Sequence, residues 1–140
     1  MLISKFGQYQ IAVLGNIVAV SAEGTASKSA IERYSQDMIE VISNFKGDKW
    51  AFLGLLHGSA LLTKDAELEL QKSIEWRAGK GMAMGALVTG ETTIEAMVRS
   101  QFERIYQKAG VKLGIFSDEE NAIAWLSQQG FETKSGGMTG

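Results

Sequence analysis

The sequence predicts an α/β fold of element order ββαβαβαβα: a mixed, mainly parallel sheet of five strands with four helices. Two observations carry this. The apolar spacing switches repeatedly between alternating or continuous runs and recurrences at every third or fourth position, and glycines mark the switches. The chain has 140 residues, enough for one domain that buries roughly 70% of its unfolded surface.

The first strands are Tyr9–Leu14 and Ile17–Ala22, joined by Gly15-Asn16, a two-residue hairpin signal. Between Ser27 and Lys46 the residues Ile31, Tyr34, Met38, Val41, Ile42 and Phe45 form one apolar helical stripe that Gly47 ends. Trp50–Leu56 is a nearly continuous apolar run, as a strand covered on both faces requires.

A second helix is predicted to start at Thr63, whose hydroxyl can cap it while Asp65, Glu67 and Glu69 place negative charge near its positive end. Its inward face is Ala66, Leu70, Ile74 and Ala78, and Gly79-Lys80-Gly81 breaks it. Met82–Val88 is the next strand. Thr92 or Thr93 then caps a third helix with inward positions Ile94, Met97, Val98, Gln101 and Ile105, and Gly110 ends it. Val111–Phe116 is the last strand, and Ser117-Asp118-Glu119-Glu120 reads as a capping box for a helix burying Ala122, Trp125 and Leu126 before Gly130. The single domain is expected over 1–131, and a flexible tail over 132–140. Helical crossovers of this length build parallel pairs of right-handed connection.

Composition narrows the function. Fourteen basic residues against sixteen acidic ones leave a net charge of -2, which offers no footprint for nucleic acid. No cysteine is present, so disulfides, thiolate metal sites and cysteine nucleophiles are excluded. The first residues lack the pattern of a signal peptide, and no run of about 18 apolar residues suggests a membrane span. A cytoplasmic location is expected.

The element order, the length, and the ending Ile115-Phe116-Ser117-Asp118-Glu119-Glu120-Asn121-Ala122-Ile123-Ala124-Trp125-Leu126 resemble the SpoIIAA-like (STAS) superfamily, in particular an uncharacterised bacterial branch. The resemblance implies a fold similar to anti-sigma-factor antagonists and to CRAL-TRIO lipid-binding domains. It also implies a serine, phosphorylated in the regulatory branch, at the start of the helix after the third strand. Here Leu62-Thr63-Lys64-Asp65-Ala66 stands in that place, with Lys64 at the serine position and no glycine after it. Thr63 therefore reads as a plain helix cap.

Among single residues, His57 is the only histidine and follows the third strand, at the end where open α/β sheets bind ligands. Glu23, Thr89, Glu91 and Asp118 fall at neighbouring strand ends. The first three are, with His57, the candidate ligand residues; pairing with a carboxylate would give His57 an acid–base role, and a solvated imidazole is the plain alternative. His57-Gly58-Ser59 lacks the geometry of a nucleophile elbow. Gly24-Thr25-Ala26-Ser27-Lys28-Ser29 lacks the glycine before lysine of a phosphate loop, and Gly79-x-Gly81-x-x-x-Gly85 precedes a strand instead of following one. No metal-ligand spacing occurs, and no cofactor is expected.

On the second helix Leu68 and Trp76 lie about 80° apart and off the Leu70–Ile74 stripe. They are candidates for an exposed interface rimmed by Glu75, Arg77 and Arg99, unless Trp50, Phe131 or the N-terminal segment covers them. The first expectation is thus a non-catalytic regulatory or protein-interaction module, binding a protein partner or a second copy. The alternative is a small or apolar ligand in a cleft beside the third helix, where Met82, Met84 and Met97 supply adaptable side chains. An enzyme using His57 is the third reading.

Overall fold

The structure is a computed structural model that describes residues 2–5, as backbone, and 9–133. The strands are β1 (Leu2–Lys5), β2 (Tyr9–Leu14), β3 (Ile17–Glu23), β4 (Trp50–Gly58), β5 (Met82–Thr92) and β6 (Lys112–Phe116). The helices are α1 (Lys28–Ile42), α2 (Lys64–Ala78), α3 (Glu95–Ala109) and α4 (Glu119–Gln128). All five expected strands join one sheet in the order β1-β2-β3-β4-β5-β6, and the four expected helices are present. β1 adds an edge strand that the sequence did not announce.

The pairs β1–β2 and β2–β3 are antiparallel, and β3–β4, β4–β5 and β5–β6 are parallel. The hairpin closes with Leu14 opposite Ile17, which leaves Gly15-Asn16 as a two-residue turn, and Gly15 takes a φ of 62° that only glycine adopts without strain. Because each successive parallel strand adds on the same side, α1, α2 and α3 fall on one face of the sheet and α4 returns to the other.

Strand alternation divides the core accordingly. Ile11, Val18, Val20, Phe52, Leu56 and Leu87 face the three helices. Ile17, Ala19, Ala51, Leu53, Ala86 and Val88 face Ala122 and Leu126 of α4, with Phe131 closing that layer. Asn16 and Glu132 hold the end of this layer to the hairpin: the Glu132 N–H donates to Asn16 Oδ1 at 2.9 Å, and the Asn16 N–H to the Glu132 carbonyl at 3.3 Å. The tail expected over 132–140 lies, from residue 134 onward, outside the described residues.

Three local expectations are corrected. α1 stops at Ile42 rather than Lys46, because a 3₁₀ turn over Ser43–Phe45 leads into left-handed Lys46 and Gly47, with φ of 53° and 87°. α3 is not capped by Thr92 or Thr93: β5 runs on to Thr92, the helix starts at Glu95, and Ile94 occupies the cap position without a side-chain bond. Its buried stripe is Val98, Phe102, Ile105 and Tyr106, which leaves Ile94 and Met97 exposed, Met97 by 57%. At α4 the cap is Asp118 rather than Ser117; its carboxylate accepts from the Asn121 N–H at 2.8 Å. Trp125 is half-buried, its ring tilted against Phe116 at 5.5 Å.

Candidate functional site

Between the sheet and helices α1–α3 lies a cavity of about 90 Å³. Its floor on the sheet is set by Gly54, where a Cβ would fall 2.8 Å from both Leu87 Cδ1 and Phe52 Cε2. Glycine in this central strand therefore lets the Phe52 ring and Leu87 lie close over the sheet as part of the cavity floor. The walls are apolar side chains of the strands and of all three helices, Val20, Leu56, Ile31, Ile74 and Phe102 among them.

The roof consists of the two loops that follow β3 and β4. Ala26 and Leu62 form a parallel bridge, the Ala26 N–H donates to Leu61 O at 2.9 Å, and the Thr63 N–H donates to Ala26 O at 3.1 Å. Thr25 and Ser59 hydroxyls share a 2.9 Å hydrogen bond. Gln101 of α3 clips the same segment, its amide accepting from the Leu62 N–H and donating to the Leu62 carbonyl, both at 3.0 Å. Ala60, in this roof and lining the cavity, sits at a φ of 50°, a strained conformation for a residue with a Cβ. Glu23, Gly24 and Thr25 line the outer end, so the cavity reaches the surface at the carboxyl ends of the parallel strands.

At the opposite, inner end lies Arg77, fully buried with 0% exposure. Its guanidinium stands over the Tyr34 ring at 5.0 Å and the Phe52 ring at 5.5 Å. Among the described residues none of Nε, Nη1 and Nη2 has a hydrogen-bond partner, and the same holds for the buried Tyr106 hydroxyl. Burial raises the Tyr34 pKa, while the Arg77 charge and the nearness of its guanidinium pull the other way. The guanidinium approaches the Tyr34 hydroxyl without completing a hydrogen bond of proper geometry, and it also stands over the Tyr34 ring. Burial likewise holds the Tyr106 pKa far above its ordinary value, against the Arg77 charge.

Arg77 is a correction to the interface expectation. It belongs to the inward stripe Ala66, Leu70, Ile74 and Arg77 rather than to a surface rim. The steps of four, four and three already gave that phase; the residue type pointed outward and the spacing pointed inward. The other interface candidates are on the surface. Leu68 is 56% and Trp76 37% exposed, and neither Trp50 nor Phe131, both buried in the core, covers them. Lys72, which pairs with Glu69 at 3.4 Å, falls midway between Leu68 and Trp76 in both rise and angle, so the two do not merge into one patch. Lys80 lies over the Trp76 ring at 5.8 Å. Glu75 accepts from Gln71 at 3.0 Å, and Arg99 pairs with Glu95 at 3.1 Å within its own helix.

Of the ligand candidates, Glu23 lines the mouth of the cavity. His57 stands in register between Glu23 and Glu91, half-buried, and does not line the cavity. Among the described residues its imidazole makes no hydrogen bond or ion pair. Thr89 is buried and donates to Glu95 at 2.8 Å, and Glu91 is exposed. The methionines expected to shape a ligand cleft do not line this one: Met84 packs on the α4 face and Met97 points to solvent. The third helix contributes Phe102 and Tyr106 instead.

Thr63 caps α2, accepting from the Ala66 N–H at 3.3 Å, and its hydroxyl donates to Asp65 at 2.7 Å. Among the described residues no cluster of His, Asp and Glu could hold a metal ion, and no helix is long and apolar enough to cross a membrane.

No protein-family model matches the chain, and no curated protein matches it. Among solved structures, the chain is similar to an uncharacterised protein of the DUF3478 family with a SpoIIAA-like fold, from Shewanella loihica PV-4. The two superpose with a TM-score of 0.63 at 16% identity, over 89% of this chain and 98% of that one. Likeness at that identity concerns the fold, and the strand order and helix placement described above agree with it: this chain has a SpoIIAA-like fold.

Proposed function

We propose that this protein is a binding module that takes a small, mainly apolar molecule into the cavity between its sheet and helices α1–α3. The observation that carries the proposal is the cavity itself, walled by apolar side chains of the sheet and of all three helices. Packed interiors rarely leave such space, and an apolar void that serves nothing destabilises its surroundings. An engineered apolar cavity of about 150 Å³ holds benzene. At about 90 Å³ this one suits a narrower body, with the rest of the molecule reaching the mouth at Glu23–Thr25. The strained Ala60 and the short, bridged roof loops supply the segment that would move for entry.

The partner-binding reading rests on Leu68 and Trp76, which Lys72 divides, and the cavity is the stronger feature. Ligand-observed NMR with octanol tests the proposal on the wild type and on Ala22→Leu, which places a larger side chain in the cavity wall. Octanol is expected to bind the wild type, and Ala22→Leu, folded by circular dichroism, is expected to lose it. Equal binding by the two proteins, or none by the wild type, rules the reading out.

A further inference from the structure

The cavity joins two features that conflict unless something is bound. One is a wall of hydrocarbon, and the other is a guanidinium that the fold has withdrawn from water and that meets no acid among the described residues. A buried arginine normally meets a carboxylate or backbone carbonyls, because desolvating its charge is costly and its donors demand acceptors. Here the rings of Tyr34 and Phe52 offset part of that cost through their π faces, and they leave the N–H donors unused. The Tyr106 hydroxyl, a further donor without an acceptor, lines the same cavity. Gly85 allows this, since a Cβ there would meet the Tyr106 hydroxyl at 2.9 Å.

We propose that Arg77 anchors the head group of a monocarboxylic acid with an apolar body, the Tyr106 hydroxyl donating to the same carboxylate. The proposal rests on the ligand-binding reading above and names the ligand class. A planar fork of N–H donors matches a carboxylate in a bidentate fashion. The charges point to a single negative group at the inner end, because among the described residues that line the cavity Arg77 is the only basic one and the one acidic residue, Glu23, stands at the mouth. The layout sets the orientation. α2 runs from Thr63 at the roof toward Gly79 beside the start of β5, so Arg77 marks the inner end, and Glu23 marks the mouth. From the level of Phe52 to that of His57 the strand takes five steps, roughly 16 Å at the usual rise. The acid group lies inward, and the apolar body extends toward the mouth.

Titration calorimetry with octanoate, octanol and octyl phosphate tests this on the wild type, Arg77→Met and Tyr106→Phe. The wild type is expected to bind octanoate at least tenfold more tightly than octanol or octyl phosphate. Arg77→Met should weaken octanoate about 50-fold while leaving octanol unchanged, and Tyr106→Phe should weaken octanoate about tenfold. If octanol binds but octanoate holds no advantage, or keeps its affinity in both variants, the carboxylate assignment falls and the apolar cavity stands. If octyl phosphate binds as tightly as octanoate, the head group is wrongly assigned. If none of the three binds the wild type, both readings fall together. Tyr106→Phe carries the test should Arg77→Met fail to fold.

Discussion

Gly85 of β5 lies directly beneath the ring of Tyr106 on α3: a Cβ at Gly85 would fall 2.8 Å from Cε2 and 2.9 Å from the hydroxyl oxygen. The ring rests on the sheet because that strand position carries no side chain. Gly85→Ala would force Tyr106 off its place, and overpacking of this kind costs about 1–3 kcal/mol. Chemical denaturation should register that loss. A variant as stable as the wild type would mean that the ring relaxes freely.

Arg77→Met separates the cost of a buried charge from the benefit of its ring contacts. A buried charge with no acid partner among the described residues costs about 3–5 kcal/mol, which Arg77→Met relieves, whereas the two lost cation–π contacts together cost about 2–4 kcal/mol. The first effect is expected to win by a small margin in protein free of ligand, raising the urea midpoint. A clear fall in the midpoint would mean that the Tyr34 and Phe52 faces satisfy the guanidinium by themselves.

The sheet was readable because its strands obey simple rhythms. Trp50–Leu56 is apolar throughout and is covered on both faces, and the Gly15-Asn16 turn fixed the hairpin register. β1 was not, since four residues at a sheet edge carry no periodicity to distinguish them from a loop. The phase of α3 is misleading in the sequence because Thr92 and Thr93 offer themselves as caps; a stripe begun there starts at Ile94 and misses Phe102 and Tyr106, both of which line the cavity. The site was hidden for a related reason. Residue type argues that arginine faces water, and only the sum of helix phase, facing rings and a glycine on the sheet shows why Arg77 does not. Spacing along one helix contains the first of these, but the other two depend on which elements become neighbours.

All three tyrosines of the chain are shifted in one direction, which makes alkaline stability a test of their packing. Burial raises the pKa of Tyr9, Tyr34 and Tyr106, and at Tyr9 the hydrogen bond to Asp37, at 2.5 Å, adds to it. Below about pH 10, the ordinary tyrosine value, folded and unfolded chains both keep these protons, so the contribution is fully present. Above it the unfolded chain releases protons that the folded chain retains, and stability falls. The urea midpoint should stay level up to about pH 9.5 and fall progressively above about pH 10, and tyrosinate absorbance should appear together with unfolding. Tyrosinate that forms while the native circular dichroism persists would contradict the burial assigned to these phenols.

The Thr63 hydroxyl serves three groups, the weakest contact being with the Ala26 carbonyl at 3.4 Å. It accepts from the Ala66 N–H, satisfying one of the free donors of the first turn of α2, and it donates to Asp65, which holds that carboxyl below its ordinary pKa. Thr63→Ala removes all three interactions and should lower stability by about 1 kcal/mol, as lost N-caps do. The direction of the second effect is fixed independently: without the hydroxyl, the Asp65 carboxyl should titrate at higher pH, as carbon-detected NMR can follow. Thr63→Ser, which keeps the hydroxyl, should restore both the stability and the low Asp65 value. If Thr63→Ala leaves the Asp65 titration unmoved, the shift comes from the helix N-terminus and not from the threonine.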